Sequence, residues 1–111
     1  MYHENIKEIT KENTHFRHVL HTGIYSQLVV MSIKVGGEIG EEVHKETDQM
    51  IFIVEGDAEA TVGNERFGVD EHDVLIIPAG VKHNVKNVGD EELKLFTMYA
   101  PPEHEDGTIE G

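Results

Sequence analysis

A chain of 111 residues with 22 acidic against 9 basic side chains, a formal charge of −13 and no cysteine reads as one small domain without disulfides, thiolate metal sites or a cysteine nucleophile. Its charge repels phosphate backbones and anionic lipids, which argues against nucleic acid and membrane surfaces as partners. No apolar run reaches the length of a membrane span, the N-terminus has no apolar signal-peptide core, and the lack of cysteine suits the cytoplasm.

Residues 1–15 are polar and predict a short helix or a strand arm. Beyond them the apolar residues follow a period of two rather than 3.6. This pattern predicts strands over Gln27 to Val35, Gln49 to Val54, Ala58 to Val62, Val74 to Ile77, Val81 to Val88 and Leu93 to Ala100. Turn chemistry separates them at Val35-Gly36-Gly37, Glu55-Gly56-Asp57, Gly63-Asn64-Glu65, Pro78-Ala79-Gly80 and Gly89-Asp90. Short strands at regular spacing predict an all-β, antiparallel sandwich or barrel. Residues 101–111 contain two prolines and little to bury, and read as a surface tail. The single domain thus spans 1–111, with the barrel at about 16–100 and the tail at 101–111. Most of the acidic clusters read as solvated loops.

One constellation points to chemistry. Residues two apart on a strand share a face, so Glu42 and His44 point the same way if their segment is extended. Gln49 opens the next strand on a face with Ile51 and Ile53, and His83 shares a face with Val81, Val85 and Asn87. If these strands line one barrel, the four side chains converge. Glu42, His44 and His83 then make a two-histidine, one-carboxylate set, and Gln49 adds a neutral oxygen. Such donors suit one divalent ion, iron, manganese or nickel, with zinc compatible and copper(I) disfavoured. Taken singly, each histidine reads as structural or surface, as do His3, His15, His18, His21, His72 and His104. The argument rests on the joint spacing.

These two segments resemble the paired motifs of the cupin superfamily. The first runs Gly36, five residues, Glu42, one residue, His44, four residues, Gln49, six residues, Gly56. The second runs His72, five residues, Pro78, one residue, Gly80, two residues, His83, three residues, Asn87. The strong resemblance covers residues 36–87, with a looser likeness from about Phe16 to His104 to small bacterial cupins that often carry the label mannose-6-phosphate isomerase-like. Three positions depart from the family pattern: Glu42 stands for its first histidine, Gln49 for its glutamate, and His72 for a glycine, at a turn.

The resemblance implies a double-stranded β-helix, a jelly-roll barrel with a polar N-terminal arm, and a homodimer in which Phe16 to Leu20 is a candidate exchanged strand. It implies a metal-binding protein that acts on or binds a small organic molecule in an apolar barrel pocket, as an oxygenase or isomerase. The alternatives are a non-catalytic ligand-binding or sensing protein, and a structural barrel with a degenerate site. Sugar-phosphate isomerisation fits poorly, because Arg17, Lys34, Lys82 and a few others are the only cations available. No catalytic residue is assigned. Tyr99, Tyr25, His21 and Glu55 are acid–base candidates by type alone. Met31, Ile33, Ile51, Ile53, Val85, Leu95 and Phe96 are expected in the core, some of them lining the pocket.

Overall fold

The computed structural model describes residues 1–111. A seven-residue helix α1 (Ile6–Glu12) precedes nine strands: β1 (Arg17–Thr22), β2 (Gln27–Ile33), β3 (Asp48–Glu55), β4 (Ala58–Val62), β5 (Glu65–Val69), β6 (Val74–Ile77), β7 (His83–Asn87), β8 (Leu93–Ala100) and β9 (Ile109–Glu110). Helix α1 is capped by Asn5, whose side-chain oxygen accepts the Glu8 N–H at 3.0 Å. Its only buried side chain is Thr10, so it is the polar arm in helical form.

The strands form a six-stranded sheet, in the order β6-β3-β8-β2-β1-β9, and a three-stranded sheet, β5-β4-β7. Every pairing is antiparallel. Alternation along β3 and β8 turns Ile51, Ile53, Leu93 and Leu95 inward, where they meet Ala58, Ala60 and Val85 of the smaller sheet. The expected double-stranded β-helix is what the chain forms. Met31, Ile33, Ile51, Ile53, Val85 and Leu95 all pack in this core. Phe96 does not. It lies on the outer face, stacked on Phe52 at 5.0 Å.

Six strands lie where the period of two places them. Strand β5 was not anticipated, because four of its five residues are exposed and an edge strand open on both sides carries no alternation. It is joined to β4 by a two-residue turn in which Gly63 adopts φ +59°. His72 is at a turn, as expected, with φ +70°, a region histidine visits more readily than most side chains.

The C-terminal tail lies on the surface but is tied down. Strand β9 pairs with β1. The fully buried Gln27 donates to the His104 carbonyl at 2.8 Å and accepts the N–H groups of Glu103 (3.1 Å) and His104 (2.9 Å). Residues 101–108 thereby form a strap across one end of the barrel. No helix is long and apolar enough to cross a membrane.

Candidate metal centre

Glu42 and His83 exchange backbone hydrogen bonds in both directions, at 2.9 and 3.0 Å. Such a pair stands directly opposite, with both side chains on one face. His44 is held by the turn that precedes β7. Its carbonyl accepts the Gly80 N–H at 2.8 Å, and the Val81 N–H closes the turn onto Pro78 at 3.2 Å. Gly80 has φ +85°, the left-handed value a type II turn requires at its third position. Gln49 enters from β3, paired with Tyr99 of β8 on one side and Ile77 of β6 on the other. The structure therefore brings all four sequence-predicted residues together. One donor atom each from Glu42, His44 and His83 lies within 4.8 Å of the others.

The imidazoles are oriented from outside. His44 Nδ1 lies 3.1 Å from Glu103 Oε1, and His83 Nδ1 lies 2.9 Å from the Val81 carbonyl. Both contacts place the proton on Nδ1 and leave Nε2 as the inward lone pair. His44 Nε2 and Glu42 Oε1 are buried, 3.9 Å apart and without any hydrogen-bond partner. The Gln49 amide donates to Thr97 Oγ1 at 2.9 Å, and that hydroxyl donates to the Met50 carbonyl at 2.8 Å. The Gln49 oxygen then faces His83 Nε2 at 3.0 Å. With these orientations two lone pairs confront each other, and only a proton or a cation between them satisfies both. Two imidazole nitrogens, a carboxylate and an amide oxygen, turned inward and two of them without any partner, fit a divalent ion.

Of the acid–base candidates, Tyr25 is 81% exposed, His21 is exposed, and Glu55 ends β3 six residues from Gln49, roughly 20 Å at strand rise. Tyr99 is at the site, packed edge-on against His44 with ring centroids 5.5 Å apart. Burial pushes its hydroxyl pKa well above the usual value; the Glu42 carboxylate adds to this and the Arg17 guanidinium opposes it. Tyr99 is thus held protonated, a donor rather than a base. Asn87, the last residue of the second motif, is structural: it donates to the Ile33 and Glu91 carbonyls at 2.9 and 2.8 Å.

Three neighbours lay outside the sequence argument as site residues. Glu103 orients His44 from the strap. His104, read as structural or surface, packs on Tyr99 with centroids 4.9 Å apart. Arg17 is buried beside them and bonded to Glu110 at 3.0 Å. Glu103→Ala is expected to weaken metal binding by about 10–100-fold, the usual cost of losing an outer-shell partner. Competition with a chromogenic chelator measures this, and unchanged affinity would show that His44 does not depend on Glu103.

Comparison with known proteins places the chain. The family model described as Cupin domain matches residues 29–99. The chain is 39% identical to the uncharacterized protein YrkC of Bacillus subtilis (strain 168) over 95% of its own length, and spans 60% of that relative. It is 32% identical to the uncharacterized protein MJ1618 of Methanocaldococcus jannaschii, covering 91% of this chain and 85% of that one. The crystal structure of BH2720 from Bacillus halodurans superposes with a TM-score of 0.97 at 39% identity, over 98% of this chain and 87% of that one. The barrel topology, the spacing of the two segments and these likenesses agree, and the chain belongs to the cupin family.

Proposed function

We propose that the protein binds one divalent ion through Glu42, His44 and His83, with the Gln49 oxygen as a fourth ligand, and is an oxygenase or isomerase acting on a small organic molecule. The observation that carries this reading is the pair of buried, partnerless atoms, Glu42 Oε1 and His44 Nε2, beside His83. Iron, manganese, nickel and zinc all accept this donor set. A bound ion would supply Lewis-acid or oxygen chemistry. The protein's own residues orient the ligands, keep Tyr99 protonated as a donor, and close the site with the strap. The apolar interior is occupied by core side chains, so a substrate approaches at the polar end of the barrel.

The test is metal analysis of protein purified without chelators. Oxygen uptake and substrate isomerisation are then assayed over a panel of small organic acids, with each ion loaded in turn. Full metal occupancy with ligand binding but no turnover would replace the enzyme reading by that of a non-catalytic binding protein. Tyr99 supports this second reading, being the one acid–base candidate packed on the centre and held protonated.

The Gln49→Glu variant restores the family's carboxylate and is expected to bind manganese at least about tenfold more tightly, since hard divalent ions favour charged oxygen. An equal or weaker affinity in calorimetry would exclude Gln49 from the ligand set.

A homodimer is the second element of the proposal. On the outer face of the larger sheet, Val74, Phe52, Phe96 and Val30 form one cross-strand row, and Ile76, Met50, Met98 and Leu28 form the next. Val74 and Ile76 are 54% and 65% exposed. Helix α1 already covers Val30, which is fully buried, and a second copy would cover the exposed end of the rows around Val74 and Ile76. Ile76→Lys is expected to shift the mass measured by light scattering from dimer to monomer, and a wild-type protein that is monomeric at all concentrations would end the dimer reading.

A further inference from the structure

Six buried polar side-chain atoms lack a hydrogen-bond partner. Glu42 Oε1 and His44 Nε2 belong to the metal centre. Ser32 Oγ lies elsewhere, near the helix side of the barrel. The remaining three, Arg17 Nε, Tyr99 Oη and His104 Nε2, form a second set. We propose that Arg17, Tyr99 and His104 are the anion-binding arm of the ligand site, holding the carboxylate of a small oxygen-bearing acid whose other oxygen meets the ion at Glu42, His44 and His83. This inference deepens the function proposed above and rests on it.

The three groups come from different parts of the chain and meet beside His44. Tyr99 is wholly buried, its ring edge-on to His44 at 5.5 Å and to His104 at 4.9 Å. Arg17 enters from β1 with its side chain 9% exposed, and Nη1 bonds to Glu110 Oε2 at 3.0 Å. That contact anchors the guanidinium and leaves its Nε–H without an acceptor. His104 is brought in by the strap, whose backbone is locked by Gln27. Arg17 can only donate, the Tyr99 hydroxyl donates or accepts with the Arg17 guanidinium close by, and His104 Nε2 donates in the matching tautomer. These three buried polar atoms without a geometrically good partner can all donate to an anion, and a guanidinium edge beside a hydroxyl matches a planar carboxylate.

Charge and space narrow the class further. Arg17 is the one cation of the set, already paired with Glu110, while Glu42 and Glu103 flank it. A dianionic phosphate would add two charges where three carboxylates already face one guanidinium, so a monoanion is the less costly ligand. None of the surface cavities includes Arg17, Tyr99 or His104 in its lining, so a ligand reaches them only if the strap moves. A two- or three-carbon hydroxy or oxo acid is the smallest ligand class with a carboxylate for the arm and a second oxygen for the ion.

Glycolate is the probe, with glycolamide as the neutral control. Calorimetric titration is run on manganese-loaded protein, and manganese affinity is measured separately for each variant. Tyr99→Phe removes only the partnerless hydroxyl. It is expected to weaken glycolate binding about tenfold or more, while manganese affinity stays within about twofold and the melting temperature is equal or higher. Arg17→Gln is expected to abolish glycolate binding. If that variant fails to fold because Glu110 loses its partner, Tyr99→Phe carries the test. Equal glycolate affinity in wild type and Tyr99→Phe, or no glycolate binding by manganese-loaded wild type, overturns the arm. If manganese itself does not bind, the metal reading falls, and glycolate is titrated into the ion-free protein. Binding that Tyr99→Phe weakens then sustains the arm, and no binding overturns it.

Discussion

Protein carrying both His44→Ala and His83→Ala is expected to purify with almost no bound metal, where wild type carries close to one ion per chain. Each histidine presents an inward Nε2 whose ring is fixed from behind, His44 by Glu103 and His83 by the Val81 carbonyl. Removing both leaves Glu42 and the neutral Gln49, too weak a pair to retain a divalent ion. The effect also appears as stability. An ion that binds only the folded state at 100 times its Kd adds about 2.7 kcal/mol, on the order of 10 °C in Tm for a domain of this size. EDTA is therefore expected to lower the wild-type Tm by that amount and to leave the double variant unmoved. Comparing each protein with itself, with and without chelator, separates metal loss from any packing cost of the substitutions. Equal metal content and equal EDTA shifts in the two proteins would remove His44 and His83 from the centre.

The second large effect is expected at Gln27. Its side chain is fully buried and serves four contacts, to Thr22, to the His104 carbonyl, and to the Glu103 and His104 N–H groups. Gln27→Leu keeps the volume and strands three backbone groups of the strap. At roughly 1 kcal/mol each, with water replacing part of what is lost, the variant is expected to be about 3 kcal/mol less stable in urea denaturation at unchanged slope. That is a large share of the ~5–15 kcal/mol that holds a small domain together. The loosened strap withdraws Glu103 from His44, so metal affinity falls in the same variant. A midpoint and a metal affinity both equal to wild type would mean that the β1–β9 pairing alone holds the strap.

The four inward-facing polar residues differ from their surroundings in how they could be found. Glu42, His44 and Gln49 lie within eight positions of one another, and His83 follows a Pro-x-Gly turn, so strand alternation and turn chemistry were enough to collect them. Strand β5 escaped because it is exposed on both faces, and β9 because two residues carry no period. Phe96 was expected inside by hydrophobicity. Its register opposite Phe52 turns it outward, onto a face that alternation cannot distinguish from a core face when both are apolar.

The strands, their turns and the four inward-facing side chains follow from local rules: a side-chain period of two, glycine at left-handed turn positions, and short spacing between donors. These rules act over a few residues and are written in the chain. Glu103 at His44 is 59 positions away, and Arg17 bonds Glu110 across 93 positions. Such contacts arise only when β9 pairs with β1 and Gln27 locks the strap over the barrel end. The outer shell of the centre and the set of partnerless donors beside it are products of that closure. No spacing rule reaches so far, because the geometry that joins these residues is set by how the sheets pack and not by the chain between them.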